Sequence, residues 1–234
     1  MSFAGGRIKR MQNSITKEYI KRFSICALGL ACFSVGNVFG VHAGSAGTNA
    51  WNTLALGISG STSISFGTAT LLISGLVVLI DILFKGRIGF GTLMNAFLIS
   101  WFSDLLLGVF HFLPTAQNQL IGAALTIIGQ TIISFSTILY MSPGLGCGPR
   151  DTLMVIIGKR FPNAPIGFIK FCMELVVMLI GVLLGAPLGL GTVLIMALQA
   201  SIFQIAYRVC RYDPRNFVHE DIYDTIRRIT QKES

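Results

Sequence analysis

Gly47-Thr48-Asn49-Ala50-Trp51-Asn52-Thr53-Leu54 recurs 99 residues later as Gly146-Cys147-Gly148-Pro149-Arg150-Asp151-Thr152-Leu153. Each stretch opens a short apolar run, over residues 47–59 and 148–158. A helix of about 13 residues rises roughly 20 Å. That falls short of a hydrocarbon core about 30 Å thick. Both runs therefore read as re-entrant or interfacial half-helices. The repetition extends further along the chain. Gly89-Phe90-Gly91-Thr92 matches Gly189-Leu190-Gly191-Thr192, residues 76–80 (LVVLI) match 176–180 (VVMLI), and Gly67 matches Gly167, all 100 residues apart. Apolar helices resemble one another by chance, but Gly, Thr and Asn/Asp positions at a nearly constant offset mark an internal repeat.

Around the repeats the chain is built for lipid. Of 234 residues, 53% are hydrophobic and 12% charged, with a mean hydropathy of +0.71. Soluble domains carry about 25% charged residues. Between Phe23 and Phe84 the only formal charge is Asp81. These values exclude a soluble, secreted or nucleic-acid-binding protein. Six segments are long enough to span, at about 20 apolar residues each: 23–43, 66–84, 90–111, 119–141, 165–184 and 189–208. The first has a basic lead and a Val41-His42-Ala43 site resembling a signal-peptide end. Its apolar run is too long for a signal peptide, so it is expected to stay as an anchor.

Lysine and arginine orient the spans. Seventeen of 18 lie before residue 23, in 85–87, in 150–160 or after 207; the remaining one is Lys170. The loops at 44–65, 112–118 and 185–188 hold none. Both termini are therefore expected in the cytoplasm of a cell-membrane protein. Three spans per half is an odd number, so the second copy must enter upside down. The expected fold is all-α and polytopic: six transmembrane helices in two inverted-topology repeats, each with a half-helix. Residues 1–22 form a basic cytoplasmic segment, 23–111 and 119–208 the two membrane repeats, and 209–234 a cytoplasmic tail. In that tail Val218, Ile222, Ile226 and Ile229 would line one face of an amphipathic helix on the inner leaflet or against a partner.

With Gly144-Leu145-Gly146-Cys147-Gly148-Pro149-Arg150-Asp151-Thr152-Leu153 and the downstream Gly189-Leu190-Gly191-Thr192, the chain resembles the YczE/YyaS/YitT family of bacterial membrane proteins. The resemblance covers residues 22–210. The first copy departs from the motif, having neither Pro nor Asp at Asn49-Ala50-Trp51-Asn52. Because about 26 residues follow the last span, the resemblance is to the short form without a soluble C-terminal domain. It implies an integral membrane protein with a transport or permease role.

The N-termini of the half-helices present free N–H groups and positive dipole ends, a ready site for a polar or anionic ligand. Asn49, Trp51, Asn52, Gly148, Arg150 and Asp151 are the candidate substrate-binding residues. Asn52 and Asp151 also read as helix caps, Arg150 as a cytoplasmic anchor and Trp51 as an interfacial residue. Glu174, with Lys170 one turn before it, and Asp104 are candidates for ion or proton coupling. A Lys170–Glu174 structural pair is the equal alternative. Asp81 reads as an interfacial partner of Lys85, and Asn37 and Gln130 as interhelical glue. The five cysteines show no metal or redox spacing and read as apolar filler. No cofactor, metal or catalytic residue is assigned, and an enzyme is not expected. The leading expectation is a small secondary transporter for a small polar or anionic solute, with the bilayer as its other partner. The alternative is a membrane accessory factor that assists another complex. Homo-oligomerisation is left open.

Overall fold

A computed structural model describes residues 2–164, 166–212 and 219–230, with side chains from Thr16 onward except at Ile166 and Ile229. Pro165 and Val218, which the sequence places in a span and on the tail's apolar stripe, lie outside these residues. The helices are α1 Ser2–His42, α2 Ala50–Ser61, α3 Phe66–Leu83, α4 Phe90–Val109, α5 Gln119–Met141, α6 Pro149–Arg160, α7 Ile166–Leu183, α8 Leu190–Val209 and α9 Ile222–Thr230. Among the described residues there is no strand. Among the described residues, five helices are long and apolar enough to cross a membrane: Thr16–His42 within α1, α3, α4, α5 and α8. The two short runs are indeed short helices of 12 residues. The basic segment before residue 23 continues into the first span without a break.

Glycine lets α1 and α5 meet backbone to backbone. A Cβ on Gly36 would lie 2.6 Å from the Gly129 carbonyl oxygen, and one on Gly129 2.6 Å from that of Gly36. Gly29 fits as closely against Tyr140. Small residues at such crossings replace the hydrophobic drive that lipid cannot supply. Polar side chains add bonds across helices. Asn52 Nδ2 donates to Asn37 Oδ1 (3.1 Å), and Asn37 Nδ2 donates to Ser103 Oγ (3.2 Å), joining α2, α1 and α4. Outward, α3 exposes Leu72, Leu76, Leu79 and Leu83 along one stripe.

The tail is pinned to one end of this bundle. Backbone N–H groups of Glu220 and Ile222 donate to the carbonyls of Gly144 and Ile88. The buried Glu220 carboxylate receives Arg22 (2.9 Å), Arg228 (2.7 Å) and Tyr19 (3.1 Å).

Three expectations about polar residues are corrected. Asn49, not Asn52, caps α2, its side chain accepting from the Asn52 N–H (3.0 Å), while Gly148 stands at the cap position of α6. Asp151 lies in the first turn of α6, where its charge complements the dipole. Asp104 also serves an N-terminus, that of α3. It accepts from the Gly67 N–H (2.6 Å) and from the Ser65 hydroxyl. Asp81 does not pair with Lys85. The chain reverses at Lys85 with φ 57° and leaves that side chain exposed, whereas Asp81 is fully buried with neither oxygen hydrogen-bonded.

These contacts sort substitutions by outcome. Gly36→Leu should abolish recovery of folded protein, while Gly108→Leu, with nothing within 4 Å, should leave the detergent melting curve unchanged. Asp104→Ala should destabilise by about 1–3 kcal/mol through lost charge-assisted bonds. Asp81→Asn should be neutral or stabilising, because it removes an unpaired buried carboxyl. Chemical denaturation in micelles reads both, and a large loss in Asp81→Asn would contradict the buried, unpartnered placement.

Candidate functional site

The leads into the short helices are built from residues that tolerate unusual backbone. Gly47 and Gly146 have φ 74° and 123°, open to glycine and costly for other residues. Each lead lies against the G-x-G-T turn of the other half. The Gly91 N–H donates to Leu145 O (2.8 Å) and the Thr92 hydroxyl to Cys147 O (2.6 Å). Gly189 and Gly191 leave room for the backbone of residues 45–47. Both short helices thus start inside the bundle, and their first residues face a shared cavity.

That cavity has a volume of about 380 Å³. Asn49, Ala50 and Trp51 at the start of α2 and Cys147, Gly148, Arg150 and Asp151 at the start of α6 all line it. Helix α7 contributes Lys170, Met173 and Glu174, and α8 contributes Gln199, Phe203 and Tyr207. The remaining wall comes from α1, α4 and α5, with Phe33, Ile99, Ile133 and Met141 as its apolar members and Asn95, Gln130, Thr137 and Tyr140 as its polar ones. His219, on the strand of chain leading into α9, also reaches it. Burial lowers the pKa of that imidazole, keeping it neutral at pH 7.

Charge in the cavity is balanced and locally engaged. The Arg150 guanidinium stacks 4.6 Å over the ring centroid of Trp51. These two residues occupy the same position in the two repeated segments. Lys170 Nζ lies 4.8 Å over the Phe203 ring and 4.0 Å from Glu174 Oε1. Gln199 Nε2 donates to Glu174 Oε2. Lys170 and Glu174 therefore both belong to the cavity wall and form the intrahelical pair. A Cβ at Gly148 would lie 2.9 Å from the Tyr140 hydroxyl and 3.2 Å from Asn95 Nδ2. The bare Cα there keeps backbone, phenol and amide within reach of one small molecule.

Of the residues singled out from sequence, Asn49, Trp51, Gly148, Arg150, Asp151, Lys170 and Glu174 come together at the cavity. Asn52 and Asp104 do not line it; their polar atoms are taken up by Asn37 and by the start of α3. Sequence reading missed Asn95, Tyr140 and Gln199. Asn95 and Gln199 carried a usable signal, as isolated amides within apolar helices. Tyr140 carried none, because a tyrosine near a helix end reads equally well as an interfacial anchor.

An uncharacterized protein of Haemophilus influenzae is 35% identical over 190 residues, covering 81% of this chain and 84% of its own length. The uncharacterized membrane protein YczE of Bacillus subtilis is 26% identical over 192 residues, covering 81% of this chain and 87% of its own. No solved structure matches the chain significantly. The model of DUF6198, a family of unknown function, matches residues 20–208, and the chain belongs to that YczE-like family of membrane proteins.

Proposed function

We propose that this protein is a small secondary transporter or permease of the cell membrane for a small polar or anionic solute. One observation carries the reading: residues at the starts of both short helices line one cavity, where Arg150 of one stacks on Trp51 of the other. Irregular backbone at membrane depth needs a polar cavity or protein cover. A pair of helix starts aimed into one cavity is the arrangement that binds solutes in transporters with broken helices. An accessory factor would have no need of the cavity.

In this proposal α7 is the sixth span. Like α3 it is 18 residues long, and its Lys170 and Glu174 are accommodated at the cavity. The helix bounds support two equivalent halves. Helices α2 and α6 differ by 99 positions at both ends, and α3 and α7, like α4 and α8, by 100. The halves are inverted, with both termini in the cytoplasm. Alternating access is supported by a difference between them. Gly67 packs against the Ser100 carbonyl and Asp104, closing α3 on α4, whereas a Cβ added at Gly167 would meet no described atom within 4 Å. One half is closed at a position where the other stands open, and rocking would exchange the two.

Topology is tested by cysteine labelling in a background freed of the five native cysteines. Single cysteines at Ser59 and Gln117 should react from outside the cell, and those at Gly86 and Asn163 only after permeabilisation. External labelling at Gly86 sinks the inverted arrangement.

Function is tested by thermal stabilisation against a panel of carboxylates, phosphates and amino acids, then by uptake of the hits into proteoliposomes. A ligand at 100 times its Kd should stabilise by about 2.7 kcal/mol. Arg150→Ala should weaken an anionic hit at least about tenfold and spare a neutral one. Gly167→Leu should leave melting unchanged and stop uptake by preventing α7 from closing on α8. A panel without hits, or uptake indifferent to both variants, would transfer support to the accessory role.

A further inference from the structure

A second groove lies where α3 and α6 end, on the side of the cytoplasmic loops in the proposed topology. Its volume is about 940 Å³. The floor is apolar, with Ile80, Leu153 and Ile156, and Phe84 and Phe161 stand at its edge, 67% and 60% exposed. Lys85, Arg87, Lys159 and Arg160 line it and are all exposed. None of the four takes part in the ion pairs found among the described residues. The lining contains one carboxylate, Glu220, which is already engaged by Arg22 and Arg228. The groove therefore offers four uncompensated cations above an apolar trough.

Neighbouring surface says what such a trough accepts. Phe84 directly follows the exposed leucine stripe of α3, which ends at Leu83. An occupant can therefore enter sideways from lipid. A soluble anion would use the cations and leave the trough and Phe84 in water. A nucleic acid or an acidic peptide would bring nothing to match the leucine stripe. An amphiphile with an anionic head and hydrocarbon chains satisfies every wall. Basic pockets at the cytoplasmic ends of membrane helices recognise phospholipid head groups in this way.

We propose that this groove binds one anionic phospholipid, its phosphate held by Lys85, Arg87, Lys159 and Arg160 and its acyl chains laid past Phe84 and Phe161 along the α3 leucines. The lipid bridges the end of α3 to the end of α6, and so links the two halves of the chain. The site does not depend on the transport reading, because it is separate from the small-solute cavity apart from Cys147, Val155 and His219, which border both.

The test is native mass spectrometry of delipidated full-length protein titrated with phosphatidylglycerol or phosphatidylcholine. The wild-type protein should hold one phosphatidylglycerol at least about tenfold more tightly than phosphatidylcholine. Lys85→Gln and Arg160→Gln should each reduce that preference about fivefold, the effect of one basic residue near an anionic lipid. The quadruple Gln variant should abolish it, with the single variants deciding the matter if the quadruple one does not fold. Arg208→Gln, outside the groove, should retain it. Equal binding of the two lipids, or an unchanged preference in Lys85→Gln and Arg160→Gln, overturns the proposal. Displacement of the lipid by millimolar inorganic phosphate would also overturn it, identifying the groove as a soluble-anion site.

Discussion

Backbone lies directly on backbone where the G-x-G-T turn of each half meets the glycine-rich lead of the other. The approach is too close for side chains: a Cβ on Gly146 would come within 2.9 Å of Gly89 Cα, and one on Gly191 within 2.9 Å of the carbonyls of Ala46 and Gly47. Water is not available there to satisfy peptide groups, so the chain must do it. The Gly91 N–H and the hydroxyls of Thr92 and Thr126 supply bonds to the carbonyls of Leu145, Cys147 and Gly47. Because the leads are held this way, α2 and α6 begin inside the bundle. The cavity, and every solute contact proposed in it, follows from where those helices begin.

That constraint also explains what could be read from sequence. Glycines that must touch backbone leave a positional mark, and the 99- and 100-residue offsets recovered the two short helices, though not the residues that cap them. Length separated short helices from spans because rise per residue is fixed. The partners of individual polar groups could not be read in the same way. Asn49 and Asn52 sit three residues apart, and either could cap α2. The outcome turned on Asn37 of α1, which takes the Asn52 amide. Asp104 is 37 residues from Gly67 in sequence and beside it in space. Asp81 and Lys85 have ideal helical spacing, but the helix ends between them at Leu83. Periodicity describes one helix; these side chains were decided by the neighbouring one.

Trp51 and Arg150 show what repetition does to a cavity lined by both copies. A position that recurs in the two segments meets itself across the cavity, so a single change of residue type produces a contact between unlike partners. Here a ring faces a cation at 4.6 Å. Such a pair keeps a guanidinium in a weakly polar setting without neutralising it. In the proposed function that charge is what an anionic solute would meet, whereas Lys170 is paired with Glu174.

The turns after α3 and α7 show a different use of the same equivalence. Lys85 and Gly185 both adopt left-handed backbone, with φ 57° and 92°. Glycine takes that conformation freely, whereas a residue with a Cβ carries a penalty of roughly 1 kcal/mol. Glycine at position 85 would relax the turn and also strip its loop of one of two basic residues. In the proposed topology the turn at 185 is the one carried across the bilayer, and it bears no charge at all. In that topology the lysine accepts a strained turn in exchange for a charge that would tell it apart, during insertion, from the equivalent turn at Gly185.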